Sequence, residues 1–573
     1  MAFANVLKIV GASGKFQVLH VCFLSLFLLD IPCHFVGHVF LAATPQHRCR
    51  IPWLENASLE ARQDSPWNLS KENLLRIAIP WEQDSLSRCS RYVRPQWQLL
   101  LNDSADVPDD VETEGCVDGW EYDTSEFSST IVTEWDLVCR NRPLKQMTQS
   151  VFMGGVLVGA LIFGGLADKY GRRNMILICD FLAAITGICT SFAPNIALFS
   201  ITRFLTGLFL NGSYINGYAL GLEWLDTSHR VLFNKCMAYS YTSGQFILVG
   251  LAYAFHRWRH LYFVISFPLL VIFCLAWFHP ESARWLIHQG RYDDALKCLR
   301  RVAKINGKSL PEDFHKEALL LKLGKENEEV QIKTFTFIDL FRTRRLMKNT
   351  LIMMFLWFAT GFSYYGLALN LQGFGLNIYF LMIVFGAIDF PSKFLILLVI
   401  NHFGRRVAGV ASMLLAGITC IVFVFLPAGA DAVRTTMAVI GKGALSSSFT
   451  TIYLWVGETF PTVLRQNAYG ISSMMARVGA MISPLVILLK EFFPPLPQLI
   501  YGSVALSAGL VAILLPETRN MSLPDTIEEM LQQQQQQDIK AVYEFLPCSA
   551  EHVCVHQCAC NCDLRMKILQ LQD

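Results

Sequence analysis

Long, nearly uncharged apolar runs constrain this chain more than any other feature. A helix needs roughly 20 apolar residues to cross a hydrocarbon layer about 30 Å thick. Twelve such runs can be read along the 573 residues. Six lie near 17–41, 147–167, 175–193, 197–219, 232–254 and 259–278. Six more lie near 350–370, 377–400, 407–426, 435–456, 467–489 and 499–515. The expected fold class is an all-α membrane protein with twelve transmembrane helices. Composition agrees: 16% of residues are charged, where a soluble domain carries about 25%. A net charge of +2 offers no broad basic face, which argues against a nucleic-acid partner. The run from Phe16 past Phe40 is too long for a signal-peptide core and is read as a retained helix.

An internal repeat then orders the runs. Gly171-Arg172-Arg173 recurs as Gly404-Arg405-Arg406, a shift of 233. Glu223, with Arg230 seven residues on, recurs as Glu458 and Arg465, a shift of 235. Pro280-Glu281-Ser282 recurs as Pro516-Glu517-Thr518, a shift of 236. One nearly constant offset implies two parallel six-helix copies. The expected domains are a first half over 1–279, a linker over 280–348, a second half over 349–516 and a disordered tail over 517–573.

Charge sets the expected orientation. The loop Asp168-Lys169-Tyr170-Gly171-Arg172-Arg173 and the pair Arg405-Arg406 are basic, whereas short loops on the other side, such as Pro194-Asn195, carry no lysine or arginine. The positive-inside rule then places both termini and the linker in the cytosol. The segment His256-Arg257-Trp258-Arg259-His260 is an exception that falls outside. The long loop 45–145, with eighteen acidic and eleven basic residues, is also placed outside. It holds Cys49, Cys89, Cys116 and Cys139 together with the sequons at Asn56, Asn68 and Asn102, the pattern of a disulfide-bonded, glycosylated loop. Four cysteines allow three pairings, and the sequence does not choose among them.

The repeated charges predict a gating cluster at the cytosolic helix ends. Asp168, Arg172, Arg173, Glu223 and Arg230 form it in the first half, and Arg405, Arg406, Glu458 and Arg465 in the second. Opposite charges and helix dipoles can pair there in one arrangement of the halves and separate in the other. The plainer reading is that they anchor the helices at the headgroups.

These motifs resemble the major facilitator superfamily, and their wording is similar to solute carrier family 22. The resemblance is carried by Gly14-Lys15-Phe16-Gln17, Glu134-Trp135-Asp136-Leu137-Val138-Cys139, Pro280-Glu281-Ser282-Ala283-Arg284-Trp285-Leu286 and Leu515-Pro516-Glu517-Thr518, within residues 1 to about 530. It implies the major facilitator fold and a carrier or exchanger working by alternating access without ATP hydrolysis. No Gly-x4-Gly-Lys-Ser/Thr stretch is present.

Ionisable groups at membrane depth are costly and mark function by default. Candidates are Asp30, His34, His38, Asp180, Arg203, Asp389, Lys393, Lys442 and Arg477. Asp389 and Lys393 are four apart and can neutralise each other. Arg477 has no acidic residue within a helical turn, so its guanidinium seeks an anion, either chloride or a substrate carboxylate or sulfate. The resemblance points to the organic-anion branch, in which basic residues stand at the Lys393 and Arg477 positions. It also implies pocket contacts from Tyr241, Trp357, Tyr364, Tyr365, Phe449, Tyr453 and Ser473. Phe35 and Val39 depart from the branch, standing where relatives that favour small hydrophilic anions carry asparagine.

The expected function is transport of organic anions such as amphipathic carboxylates, steroid sulfates or dicarboxylates across the plasma membrane, either as a uniporter or in exchange for a counter-anion such as a dicarboxylate. The expected unit is a monomer in lipid, with no cofactor and no metal site. The rivals are an organic cation or zwitterion carrier using Asp30, Asp180 and Asp389, and a non-transporting receptor or sensor. An enzyme is not expected, since no nucleophile–base or metal-ligand constellation is legible.

Overall fold

The protein is described by a computed structural model covering residues 3–11, 13–53, 71–82, 85–100, 111–226, 229–308, 336–374, 376–427, 429–519, 521, 523–524 and 526–545. The sequons at Asn56, Asn68 and Asn102 and the tail cysteines lie outside these residues. The first half holds α1 (Lys15–Phe35), α2 (Arg142–Tyr170), α3 (Arg172–Ser191), α4 (Ile196–Glu223), α5 (Arg230–Ala254) and α6 (Trp258–Trp277). The second holds α7 (Arg344–Leu369), α8 (Ile378–Phe403), α9 (Arg405–Phe425), α10 (Asp431–Thr459), α11 (Thr462–Val486) and α12 (Leu496–Ala512). Among the described residues, nine of these are long and apolar enough to cross a membrane. The remaining three are α12, apolar but shorter, and α5 and α10, equally long but richer in polar residues.

The packing scheme repeats when six is added to each helix number. Helices α2 and α4 pack as α8 and α10 do, α1 and α5 as α7 and α11, and α3 and α6 as α9 and α12. The halves meet through α2 against α11 and α5 against α8, a pair of seams related by the same rule. Small residues permit the close approaches: a Cβ on Gly155 would stand 2.1 Å from the Phe204 carbonyl oxygen, and one on Gly361 2.4 Å from that of Ala476.

The loop over 45–145 packs on one end of the bundle, called here the loop side; the linker lies at the other. Strand β1 (His47–Cys49) pairs antiparallel with β6 (Trp120–Tyr122), β2 (Trp81–Glu82) with β3 (Ser85–Leu86), and β4 (Ser90–Tyr92) with β5 (Thr113–Gly115). Disulfides join Cys49 to Cys116 and Cys89 to Cys139, so one of the three pairings is selected. Arg259, the exception to the charge rule, is bound by a loop carboxylate: Glu134 accepts from its guanidinium and, at 2.7 Å, from the Trp258 indole.

One expectation needs correction. The tail is helical over Ile527–Phe545, including the run of glutamines Gln532–Gln537, rather than disordered there. Its Met530 is buried, and Ile527 and Leu531 pack on the same apolar cluster. These residues fall on one helical face, and glutamine is a good helix former.

Candidate functional site

At the linker side each half builds the same device from backbone upward. Gly171 and Gly404 both adopt φ +95°, a turn that L side chains rarely take, between consecutive helices. A Cβ at either glycine would lie 2.4 or 2.5 Å from a carboxylate oxygen of Glu281 or Glu517. That closeness has a purpose. Glu281 accepts the Arg173 backbone N–H at 3.1 Å, and Glu517 accepts those of Arg405 and Arg406 at 2.8 and 2.9 Å. Each carboxylate thereby satisfies orphan donors at the start of α3 or α9. Burial pushes the Glu281 carboxyl up, against the pull of the N–H groups of Ser282 and Arg173.

The side chains complete the clusters. Arg172 bonds Asp168 at 2.8 Å and lies 3.3 Å from Glu223. Arg405 grips Glu458 with two bonds of 2.7 Å, and the Thr518 hydroxyl donates to the same carboxylate at 2.5 Å. Four expected side chains do not join: Arg173 and Arg406 make no ion pair among the described residues and reach the carboxylates only through their backbone N–H groups. Arg230 and Arg465 make no ion pair among the described residues, and each has an unpartnered buried Nε. Seven residues beyond its glutamate, each begins or nearly begins the next helix, α5 or α11. Each cluster stays within one half. At this end no hydrogen bond or ion pair among the described residues joins the halves.

The loop side differs. Thr44 N–H donates to Gln372 at 3.1 Å, Asn377 to Glu126 at 3.4 Å, and Arg142 approaches Glu491 at 3.4 Å. Tyr379, at the start of α8, stacks with Phe40 and Phe127 of the first half. The halves are therefore joined at the loop side.

Midway, both candidate cations of the second half reach across the seam. Lys393 on α8 donates to the Ala238 carbonyl at 3.1 Å and the Thr242 hydroxyl at 2.8 Å, both on α5. Arg477 on α11 donates to Asn211 Oδ1 on α4 at 3.4 Å and to the Ser473 carbonyl at 3.0 Å. Neither has an ion pair among the described residues. Asp389 is not the neutralising partner of Lys393: it bonds Lys442 at 2.8 Å, both groups being 1% exposed. Position i+4 on one helix lost to a facing helix, because Lys442 also reaches the Phe385 carbonyl and the Tyr364 and Phe385 rings.

Aromatic side chains surround these cations. Tyr365 and Tyr453, with Tyr214 of α4, lie within electrostatic reach of Arg477. Tyr241 faces Tyr364 and Tyr365 across the halves. Phe449 sits edge-on to Tyr364 at 5.5 Å. Trp357, 1% exposed, is a backing residue that holds Tyr453 at 4.5 Å. Tyr453 itself is 44% exposed. The Ser473 hydroxyl donates to the Gly470 carbonyl, and the Ser473 carbonyl accepts from the Arg477 guanidinium. Phe35 packs on Phe152 and stands 6.5 Å from Tyr365, extending the apolar wall. Val39 is buried one turn further toward the loop side.

The first half keeps its mid-membrane charged groups to itself. Ser213 donates to Asp180, Asp30 lies 3.5 Å from His34, and Arg203 donates to Gln149 at 2.9 Å among the rings of Phe152 and Tyr262. His38 bonds the Lys145 carbonyl. Asn211, which reads as a sequon, is buried and donates to the Val156 carbonyl.

Comparison with known proteins agrees with this architecture. Residues 119–531 match the family described as sugar (and other) transporter. Solute carrier family 22 member 6-B of Xenopus laevis is 41% identical over 539 residues, covering 94% of this chain and 96% of the relative. The chain belongs to solute carrier family 22. Organic anion transporter 3 of Oryctolagus cuniculus is 42% identical over 532 residues, covering 92% and 94%. Among solved structures, the inward open conformation of the xylose transporter XylE from E. coli superposes with a TM-score of 0.53 at 16% identity, over 69% of this chain and 90% of that one. A second XylE structure, bound to 6-bromo-6-deoxy-D-glucose, gives 0.55 at 15% identity, over 91% and 100%. At such identities the likeness concerns the major facilitator fold alone. Membership of family 22 makes the protein a membrane transporter and not an enzyme.

Some site members escape sequence reasoning. Asn211, Tyr214, Ala238 and Thr242 look like ordinary helix residues and become site residues only because α4 and α5 face α11 and α8. The capping role of Glu281 and Glu517 had a signal, the Pro-Glu dipeptide repeated at a shift of 236, close to the 233 of Gly-Arg-Arg.

Proposed function

We propose that this family 22 transporter carries organic anions across the plasma membrane by alternating access, with both termini and the linker in the cytosol. The observation that carries the reading is the state of the charges at the seam. Lys393 and Arg477 reach neutral partners in the opposite half, whereas the buried carboxylates each have a partner: Asp389 has Lys442, Asp180 has Ser213 and Asp30 has His34. An anion placed among Tyr365, Tyr453 and Arg477 would meet a guanidinium that no carboxylate neutralises and rings that cover an apolar body. The names of the relatives, which include an organic anion transporter, support the same substrate class.

Both cations bond across the seam, so a substrate competes for contacts that hold the halves together. That links binding to movement. On this reading the conformation is inward-facing, joined at the loop side and parted at the linker side. Exchange for a second anion, such as a dicarboxylate, fits a site whose cations would otherwise return to weak partners. Chloride is the simplest occupant of Arg477 between substrates, and no other cofactor is required. One chain holds every proposed contact, so the unit is a monomer surrounded by lipid.

The test is uptake of labelled steroid sulfate or dicarboxylate against a labelled quaternary ammonium in cells expressing the full chain. Anion uptake that is accelerated by preloaded unlabelled anion supports the reading. Uptake of the ammonium alone would move the protein to the cation carriers, and the absence of any trans-stimulated flux would leave a sensor.

A further inference from the structure

A cavity of about 830 Å³ opens on the loop side, between the halves, with neither Lys393 nor Arg477 in its lining. Its walls come from both halves. Arg88, Arg140, Arg142 and Lys145 belong to the first, and Lys490, beside Glu491, to the second. Five lysine and arginine side chains therefore face one carboxylate.

Their partners leave most of that charge uncompensated. Glu491 is 3.4 Å from Arg142. The Lys145 ammonium donates to the Thr44 hydroxyl at 2.7 Å, a neutral partner. Arg88, Arg140, Lys145 and Lys490 make no ion pair among the described residues. Burial is the main influence on Lys490, and Arg142, Arg434 and Arg88 add charges of its own sign. His47 is held below its usual range first by burial, with Arg88 and Arg142 adding to the effect. A second polar group stands in the lining: His38, 5% exposed, has an Nδ1 with no partner among the described residues. Like charges gathered in a concave, partly dry space create a strong positive potential. The loop around it is acidic overall, so this concentration is local.

We propose that this cavity is a second anion site that takes a small dianion, a dicarboxylate or disulfonate, between the Arg142–Lys145 wall and Lys490. A dianion bridging the two walls binds only while the halves are joined at this end, so its occupancy holds the inward-facing arrangement. On the proposed orientation the site is reached from outside the cell. An external dianion then slows the return step without entering the transport path, which separates this site from the one at Arg477.

The probe is 1,3-benzenedisulfonate, and the first measurement is thermal stabilisation of the purified full-length protein, which needs no transport activity. The expected result is stabilisation of wild type and of Arg477→Gln, with the concentration required raised about tenfold in Lys490→Gln and Arg142→Gln, the ordinary effect of losing one charged contact. Lys490→Arg should retain the wild-type response, which a general loss of folding would not produce. Stabilisation unchanged in both Gln variants, or lost in Arg477→Gln, overturns the proposal. In cells, external disulfonate should lower the maximal rate of anion exchange without raising the half-saturation concentration; simple competition also overturns it. If no organic anion is transported but the stabilisation pattern holds, the substrate reading fails and this site stands.

Discussion

The two halves are nearly interchangeable at their linker-side ends and unlike at mid-membrane. Both ends use a glycine at φ +95° and a Pro-Glu carboxylate that caps the next helix. Even there one difference is visible. Asp168 has Asn401 as its counterpart at the shift of 233. Arg172 is consequently shared between Asp168 and Glu223, while Arg405 gives its whole fork to Glu458. At mid-membrane the divergence is larger. Arg203 of the first half is enclosed by its own half, whereas Lys393 and Arg477 of the second cross to the other. Duplication kept what folds a half, and the groups proposed to meet the cargo are those that diverged.

The sharpest way to break this comparison is Arg477→Asp. It should abolish anion uptake at normal surface expression, since losing a desolvated charge contact costs roughly 2–5 kcal/mol, or at least about 30-fold in binding. Unchanged uptake would remove the functional asymmetry between the halves. Comparable in size, but read in stability rather than uptake, is Asp389→Asn, which strands the Lys442 ammonium at 1% exposure. Breaking a buried pair in this way costs about 3–5 kcal/mol. It should appear as a lower melting temperature of the purified protein, and adding Lys442→Met should recover much of it. A single variant as stable as wild type would show that the pair is not structural. The smallest effect is at the ends. Arg405→Lys forfeits a two-bond fork and should cost about 1–2 kcal/mol, with Arg172→Lys costing less because Asp168 still accepts from an ammonium. Equal melting shifts for the two would erase the one difference claimed between the clusters.

The sequence made the halves legible because lipid imposes a length and a polarity on every spanning helix, and because a duplicated chain repeats its sharpest turns. It made Lys393 and Arg477 legible for the related reason that charge is rare at that depth. It could not supply their partners. Whether Asp389 meets Lys393 on its own helix or Lys442 on a facing one depends on helix rotation, which apolar periodicity leaves loose when a helix is apolar on most sides. Arg230 and Arg465 mislead for a similar reason. Their spacing from Glu223 and Glu458 repeats faithfully, yet the repeat preserves the start of a helix rather than an ion pair. The tail was misjudged because a glutamine run reads as low complexity, while the three apolar residues at its start suffice to dock a helix.

The loop over 45–145 bears on both halves at once. Through Glu134 it is bound to Arg259 of α6, and through Glu126 and Phe127 it touches Asn377 and Tyr379 of α8. Only the first attachment includes an ion pair. When the loop side opens, the loop must let go of α8 and ride with the first half, like a visor hinged on one side of a helmet. A covalent bridge between residues 126 and 377 would weld the visor shut, and the carrier would stop mid-cycle with its transport site intact.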